Sequence, residues 1–139
     1  MLSQKLLTLV KKLELSAKGY ILATAHRSEN VDNPHYLSII MNSLGEISKR
    51  VGCEVIYPMH PRTKSKLSDS DKPKNVRIID PLGFYDFSQL LKSSLCVLSD
   101  SGTAAEEGIF YEVPNVSLRM ATERPETVES GSTIISGMD

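Results

Sequence analysis

The chain has no tryptophan, three phenylalanines, five tyrosines and two cysteines among its 139 residues. Cys53 and Cys96 each sit beside or within an apolar run. Two such residues make no disulfide framework and match no zinc-ligand spacing, so they read as buried free thiols. No stretch approaches the roughly 18 consecutive apolar residues that a membrane-spanning helix needs. The first segment, Met1 to Glu14, breaks its leucines with Gln, Lys and Glu, which is wrong for the apolar stretch of a signal peptide. Charge of one sign is also lacking: 16 Lys+Arg face 17 Asp+Glu, a net charge of −1 with a pI near 6.3. A domain that lives on the phosphate backbone of nucleic acid is normally basic, so that class is disfavoured. What remains is ordinary: 40% apolar and 24% charged residues, which excludes disordered and collagen-like chains. A mass of 15.4 kDa leaves room for one core, and folding would bury about two thirds of the unfolded surface. The expectation is a soluble, cytoplasmic chain forming a single domain over residues 1–139, with no nucleic-acid or membrane partner.

Short β-branched runs alternate with helical patterns, without repeats. Leu2, Leu6, Leu9, Val10 and Leu13 follow a 3.6-residue stripe and predict an amphipathic helix. Strands are predicted at Tyr20–Ala23, Cys53–Tyr57, Val76–Ile79, Leu95–Leu98, Asn115–Leu118 and Thr133–Ile135. Asn33-Pro34 supplies an N-cap and a first-turn proline for a helix whose buried face is Leu37, Ile40, Met41, Leu44 and Ile47. Pro61–Leu67 reads as a short helix or turn, and Ser68 to Asn75 as a polar loop with no reason to be ordered. Helices are predicted at Phe84–Leu91, with Phe84, Phe87, Leu90 and Leu91 inward, and at Thr103–Phe110. Strands separated by helices imply right-handed crossovers and a mostly parallel sheet covered on both faces. The fold class is therefore α/β, a three-layer α/β/α doubly wound, Rossmann-like sheet, in which ligands bind beyond the carboxyl ends of the strands.

The polar signatures fall at those ends. Thr24-Ala-His26-Arg27-Ser-Glu29-Asn30 follows the first strand, Pro58-Met-His60-Pro61-Arg62 the second and Asp80-Pro81-Leu82-Gly83 the third. Ser99-Asp100-Ser101-Gly102-Thr103, then Glu106-Glu107, follows the fourth, and Arg119 through Glu126 the fifth. A parallel sheet brings all five to one edge. The Ser/Gly turn opening a helix offers unpaired N–H groups, a positive dipole end and the hydroxyls of Ser101 and Thr103, all suited to phosphate. Gly102 permits close backbone approach. The same residues also serve as an ordinary helix cap, so the turn alone decides nothing. His26 and His60 at neighbouring strand ends, each with an arginine nearby, suit an anion or sugar as well as a structural role. Arg119 and Arg124 are open between a diphosphate and an ion pair that fixes their loop. Phe84 and Phe87 are core residues by default, although one could lie against a nucleobase. His35, past the helix-opening proline, is expected on the surface.

Together these segments resemble the non-hydrolysing UDP-N-acetylglucosamine 2-epimerases. The matching motifs are T-x-H-R-x-E-N at Thr24–Asn30, His60-Pro61, Phe87 before an apolar strand, S-D-S-G-x-x-x-E-E at Ser99–Glu107 and T-E-R-P-E at Thr122–Glu126. Order and spacing hold from about Tyr20 to Asp139. The resemblance implies one half of a two-domain GT-B-type architecture, the C-terminal UDP-binding domain. The N-terminal domain with the acid/base carboxylates, and the final helices, would lie outside this chain. It further implies interconversion of UDP-GlcNAc and UDP-ManNAc by elimination and re-addition of UDP, for bacterial surface polysaccharide precursors, with no cofactor and no metal. Full-length members of the family are often homodimers. By position, Ser101, Gly102 and Thr103 would hold the diphosphate, and Glu107 the ribose. Leu82, through its backbone, and Phe87 would border the uracil. Arg124 and His60 would lie near the phosphates, and His26 would face the reacting sugar as the catalytic residue of this half. Arg27 and Glu29 would sit at the domain interface. Two departures stand out: Thr103 replaces the usual second glycine of S-D-S-G-G, and Ala105 the glutamine before the two glutamates. Similar S-D-S-G-T versions occur in relatives acting on other UDP-2-acetamido sugars, so the sugar is less defined than the UDP handle. The alternative enzyme is a GT-B glycosyltransferase, which moves the sugar to an acceptor. A nucleotide-binding module without chemistry would have no need of the His26–Glu29 cluster.

Overall fold

The computed structural model describes residues 9–25, 27, 31–100, 102–117 and 133–135. Strands β1 (Tyr20–Thr24), β2 (Glu54–Pro58), β3 (Val76–Ile79), β4 (Cys96–Ser99), β5 (Asn115–Ser117) and β6 (Thr133–Ile135) form one sheet in the order β3-β2-β1-β4-β5-β6. All five pairings are parallel. Helices α1 (Pro34–Val51) and α2 (Pro61–Lys64) lie between β1 and β3 in the chain, while α3 (Phe84–Lys92) and α4 (Gly102–Phe110) lie between β3 and β5. The chain thus winds outward from β1 to one edge, returns to β4 and winds to the other. This is the doubly wound α/β class that the strand–helix alternation implies. Residues 9–12 are helical and Leu13 lies in the turn that follows, while Leu2 and Leu6 of the predicted N-terminal helix lie outside the described residues.

The two cores follow from the pleat. Alternate residues of a strand point to opposite faces, so Ile21 and Ala23 join one layer while Tyr20 and Leu22 join the other. The first layer packs Ile21, Ala23, Val55, Tyr57 and Leu98 against Leu37, Ile40, Met41 and Leu44 of α1. The second packs Tyr20, Leu22, Ile56 and Val97 against Leu90 and Leu91 of α3. All five residues of β1 are buried, as a central strand covered on both faces requires.

Helix α1 starts where its sequence says it should. The Asn33 carboxamide oxygen accepts from the N–H groups of His35 and Tyr36 at 2.9 and 3.3 Å, and Pro34 occupies the first helical position. It ends at Gly52, whose φ of 82° only glycine adopts at low cost, with the Gly52 N–H bonded to the Ser48 carbonyl at 2.8 Å. His35 is exposed, as expected.

Three expectations need correction. Residues 68–75 are not a structureless loop: Asp69–Asp71 form a 3-10 turn, and the Ser68 N–H and hydroxyl both donate to Asp71 Oδ2 at 3.2 and 2.9 Å. The segment is ordered by its own polar side chains, which hydropathy does not register. Phe84 is not inward but 73% exposed. It is the first residue of α3, at the carboxyl edge of the sheet, and the inward stripe is carried by Leu90 and Leu91, with Phe87 half-buried. Cys53 and Cys96 are free thiols, but both are half-buried rather than fully buried; burial still pushes both thiols up from their ordinary range, and Cys53 adds to the effect on Cys96. Among the described residues, no helix is long and apolar enough to cross a membrane.

Candidate functional site

The register fixes one common edge. Thr24 pairs with Ser99, Ser99 with Ser117, and Pro58 with Ile79, so the carboxyl ends of β1 through β5 lie along the same edge. Between β1 and β4 the winding reverses, and in such sheets the crevice outside the strand ends at this reversal is where ligands bind. The chain places Ala25 and Arg27 on one side of it and Asp100 and the start of α4 on the other.

Asp100 joins the two sides. It is fully buried, and its Oδ2 accepts the Arg27 backbone N–H at 2.9 Å. Its carbonyl accepts from Arg27 Nε at 2.9 Å, and its N–H donates to the Thr24 carbonyl at 3.2 Å. A buried carboxylate is tolerated only when hydrogen-bonded or paired, and Asp100 also lies two residues before the first residue of α4, where the dipole favours a negative charge. Beside it, the hydroxyl of fully buried Tyr57 donates to the Ala25 carbonyl at 2.6 Å. Burial first, and the Asp100 charge second, push the Tyr57 phenol far above its ordinary range. The loop after β1 is therefore tied toward both neighbouring strands, by a buried bond to Tyr57 and by partly buried bonds to Asp100. Sequence reasoning assigned no role to Asp100 or Tyr57. The signal that would have found Asp100 is a carboxylate directly after an apolar strand, flanked by serines.

His60 caps α2: its Nδ1 accepts the Arg62 N–H at 3.0 Å. A backbone N–H can only donate, so in the neutral ring the proton sits on Nε2, which is left as a donor. His60 is exposed at the strand edge. Leu82 and Phe87 are half-buried and pack against the second core layer, at the approach to α3 and on its first turns. Gly102 and Thr103 are the first two residues of α4. Glu107, half-buried one and a half turns on, accepts the hydroxyl of buried Ser88 on its Oε2 at 2.6 Å. Ser88, too, was not singled out by sequence.

The structure thus sets Arg27, His60, Leu82, Gly102 and Thr103 at or beside the carboxyl edge, with Phe87 and Glu107 on the helices that leave it. His26, Glu29, Ser101 and Arg124, like Arg119, lie outside the described residues. Among the described residues, no group of three or more His, Cys, Asp or Glu is placed to hold a metal ion. A separate shallow groove of about 430 Å³, lined by Gly45, Glu46, Lys49 and Pro73 among others, lies on the α1 side, away from this edge.

A doubly wound parallel sheet with a helix opening at its switch point places the chain in the Rossmann-like α/β class, in which ligands bind at this crevice. Comparison with known proteins narrows this. The profile of the family described as UDP-N-acetylglucosamine 2-epimerase matches residues 2–139, and the chain belongs to that family. A UDP-N-acetylglucosamine 2-epimerase of Methanococcus maripaludis is 38% identical over 143 residues, 99% of this chain and 39% of the relative. A UDP-2,3-diacetamido-2,3-dideoxy-D-glucuronate 2-epimerase of Pseudomonas aeruginosa is 39% identical over 122 residues, 88% of this chain and 34% of the relative. The crystal structure of the Methanocaldococcus jannaschii UDP-GlcNAc 2-epimerase in complex with UDP-GlcNAc and UDP superposes with a TM-score of 0.80 at 35% identity, over 99% of this chain and 41% of that one. An E. coli heptosyltransferase shares the fold alone, at 12% identity and a TM-score of 0.61 over 86% of this chain and 37% of that one. The chain therefore spans between about a third and two fifths of the length of these epimerases.

Proposed function

We propose that this chain is the UDP-sugar-binding half of a non-hydrolysing UDP-2-acetamido-sugar 2-epimerase. The observation that carries the reading is the tie between the loop after β1 and the turn opening α4, at the reversal of the sheet, in a chain that matches this family along nearly its whole length. The N–H groups at the start of α4, with the hydroxyls of Ser101 and Thr103, receive the diphosphate. Gly102 lets the backbone approach it. Glu107 accepts the ribose hydroxyls, while the Leu82 backbone and Phe87 border the uracil. His60, donating from Nε2, and Arg124 lie near the phosphates, whose charge the arginine offsets. His26 faces the sugar, and Arg27 and Glu29 meet the domain that completes the cleft.

In the proposed reaction a base takes the C2 proton as the C1–O bond to UDP breaks, leaving a 2-acetamidoglucal. UDP then re-adds at C1 while C2 is protonated on its other face. Atoms and charge balance without a redox cofactor. The base must sit within hydrogen-bond reach of C2, and the family's acid/base carboxylates belong to the other domain, so this half alone is expected to bind and not to epimerise. UDP-GlcNAc and UDP-ManNAc are the first substrates to test. The likeness to the P. aeruginosa diacetamido-glucuronate enzyme and the Thr103 departure keep other UDP-2-acetamido sugars in view. A homodimer, and a cytoplasmic place in polysaccharide precursor synthesis, complete the proposal.

Titrating the chain with UDP and following amide NMR tests it. Shifts clustered at Ser101–Glu107, Phe87 and Arg124, reached only at higher UDP concentration in Glu107→Ala, are the expected result. A folded chain with no shifts at millimolar UDP would overturn it.

A further inference from the structure

We infer that Ser88 is a positioning residue for Glu107, holding its carboxylate in the plane that receives the two ribose hydroxyls and so giving the site its preference for ribonucleotides. The inference rests on the UDP reading above. Ser88 is 6% exposed, on the second turn of α3, and next in sequence to Phe87. Its hydroxyl reaches across to α4 and donates to Glu107 Oε2 at 2.6 Å, a short, charge-assisted bond. An ionised carboxylate offers about four lone-pair sites. Ser88 occupies one, on the buried side, and leaves sites on both oxygens for a pair of adjacent hydroxyls. A glutamate with no such anchor must be immobilised when the nucleotide arrives, and that ordering subtracts from affinity. The bond also couples the two proposed subsites, because the helix that carries Phe87 against the base orients the carboxylate against the sugar. Helical periodicity gives no hint of this pair, since the two residues lie 19 positions apart on separate helices.

The test is a calorimetric titration of the chain with UDP and with 2′-deoxy-UDP, in wild type, Ser88→Ala, Glu107→Ala and the double variant. Ser88→Ala is expected to weaken UDP roughly three- to tenfold, the scale of one lost anchoring bond, and to weaken 2′-deoxy-UDP distinctly less. In the Glu107→Ala background the Ser88 substitution should change neither affinity. Should Ser88→Ala fail to fold, Ser88→Cys, a weaker donor of similar size, is expected to show the same ordering. An equal loss for both nucleotides, a loss that persists without Glu107, or no loss at all would overturn the Ser88 assignment and leave the UDP reading standing. If wild type fails to bind UDP, the UDP reading itself falls.

Discussion

At the scale of single residues, the site depends on a buried acid. Asp100 accepts the Arg27 backbone N–H through its side chain and an Arg27 side-chain N–H through its carbonyl. Replacing it with alanine leaves the Arg27 N–H without its acceptor and opens a small cavity. That combination is expected to cost about 2–4 kcal/mol, and Asp100→Asn, which keeps an acceptor of the same shape, less. Urea unfolding midpoints measure both; if Asp100→Ala unfolds like wild type, the tie between β1 and β4 does not matter for stability. The residues of the α4 turn were legible in sequence because the signal is local: serine, glycine and glutamate at fixed offsets. The partners of Asp100 and Glu107 were not, because those bonds join residues 73 and 19 positions apart and exist only after the sheet has formed.

At the scale of elements, α4 is held where it is by a glycine. A Cβ on Gly108 would lie 2.9 Å from the Val113 carbonyl oxygen, a backbone atom that cannot swing away. In an exposed helix, Gly→Ala gains about 1 kcal/mol. Here the close approach is expected to reverse the sign, with Gly108→Ala destabilising by about 1–3 kcal/mol. A thermal midpoint equal to or above that of wild type would show that α4 can move off β5. Because the same helix carries Gly102, Thr103 and Glu107, the variant should also weaken UDP binding. Helix α1 was readable almost residue by residue, since Asn33-Pro34 and the spacing of Leu37, Ile40, Met41 and Leu44 act within one element. Helix α3 was read one residue too generously: Phe84 matches the stripe, but it is the first residue of the helix and is 73% exposed among the described residues.

At the scale of the whole molecule, the two faces of the sheet each bury a tyrosine on a central strand, Tyr20 on one and Tyr57 on the other. Each hydroxyl donates to a backbone carbonyl, Leu90 for Tyr20 and Ala25 for Tyr57. Burial raises both phenols well above their ordinary value of 10.0. A group raised in the folded state contributes stability that is fully present below its unfolded pKa and is lost as the pH climbs toward its folded one. Stability from these two tyrosines is therefore expected to be constant up to about pH 9 and to fall above about pH 10. Comparing Tyr20→Phe and Tyr57→Phe with wild type isolates the effect from the titration of lysines. Each variant should be less stable by about 1 kcal/mol at pH 8, and its difference from wild type should shrink by pH 11. A pH-independent difference would show that folding does not raise the phenol pKa values.

Alternating β-branched runs and helical stripes, by themselves, determined that this chain forms a parallel α/β sheet, and local motifs determined that its polar residues collect at one edge. These features are written in spacings of two to five residues, which hydrophobic burial and helix capping enforce wherever the segment lies. The tertiary structure alone decided the strand order, and with it that the β1 loop and the α4 turn face each other across the reversal. It also decided which acid is buried between them and which serine holds Glu107. Such bonds depend on strands and helices docking over long separations, where the cost of chain closure is repaid only once both partners leave water together.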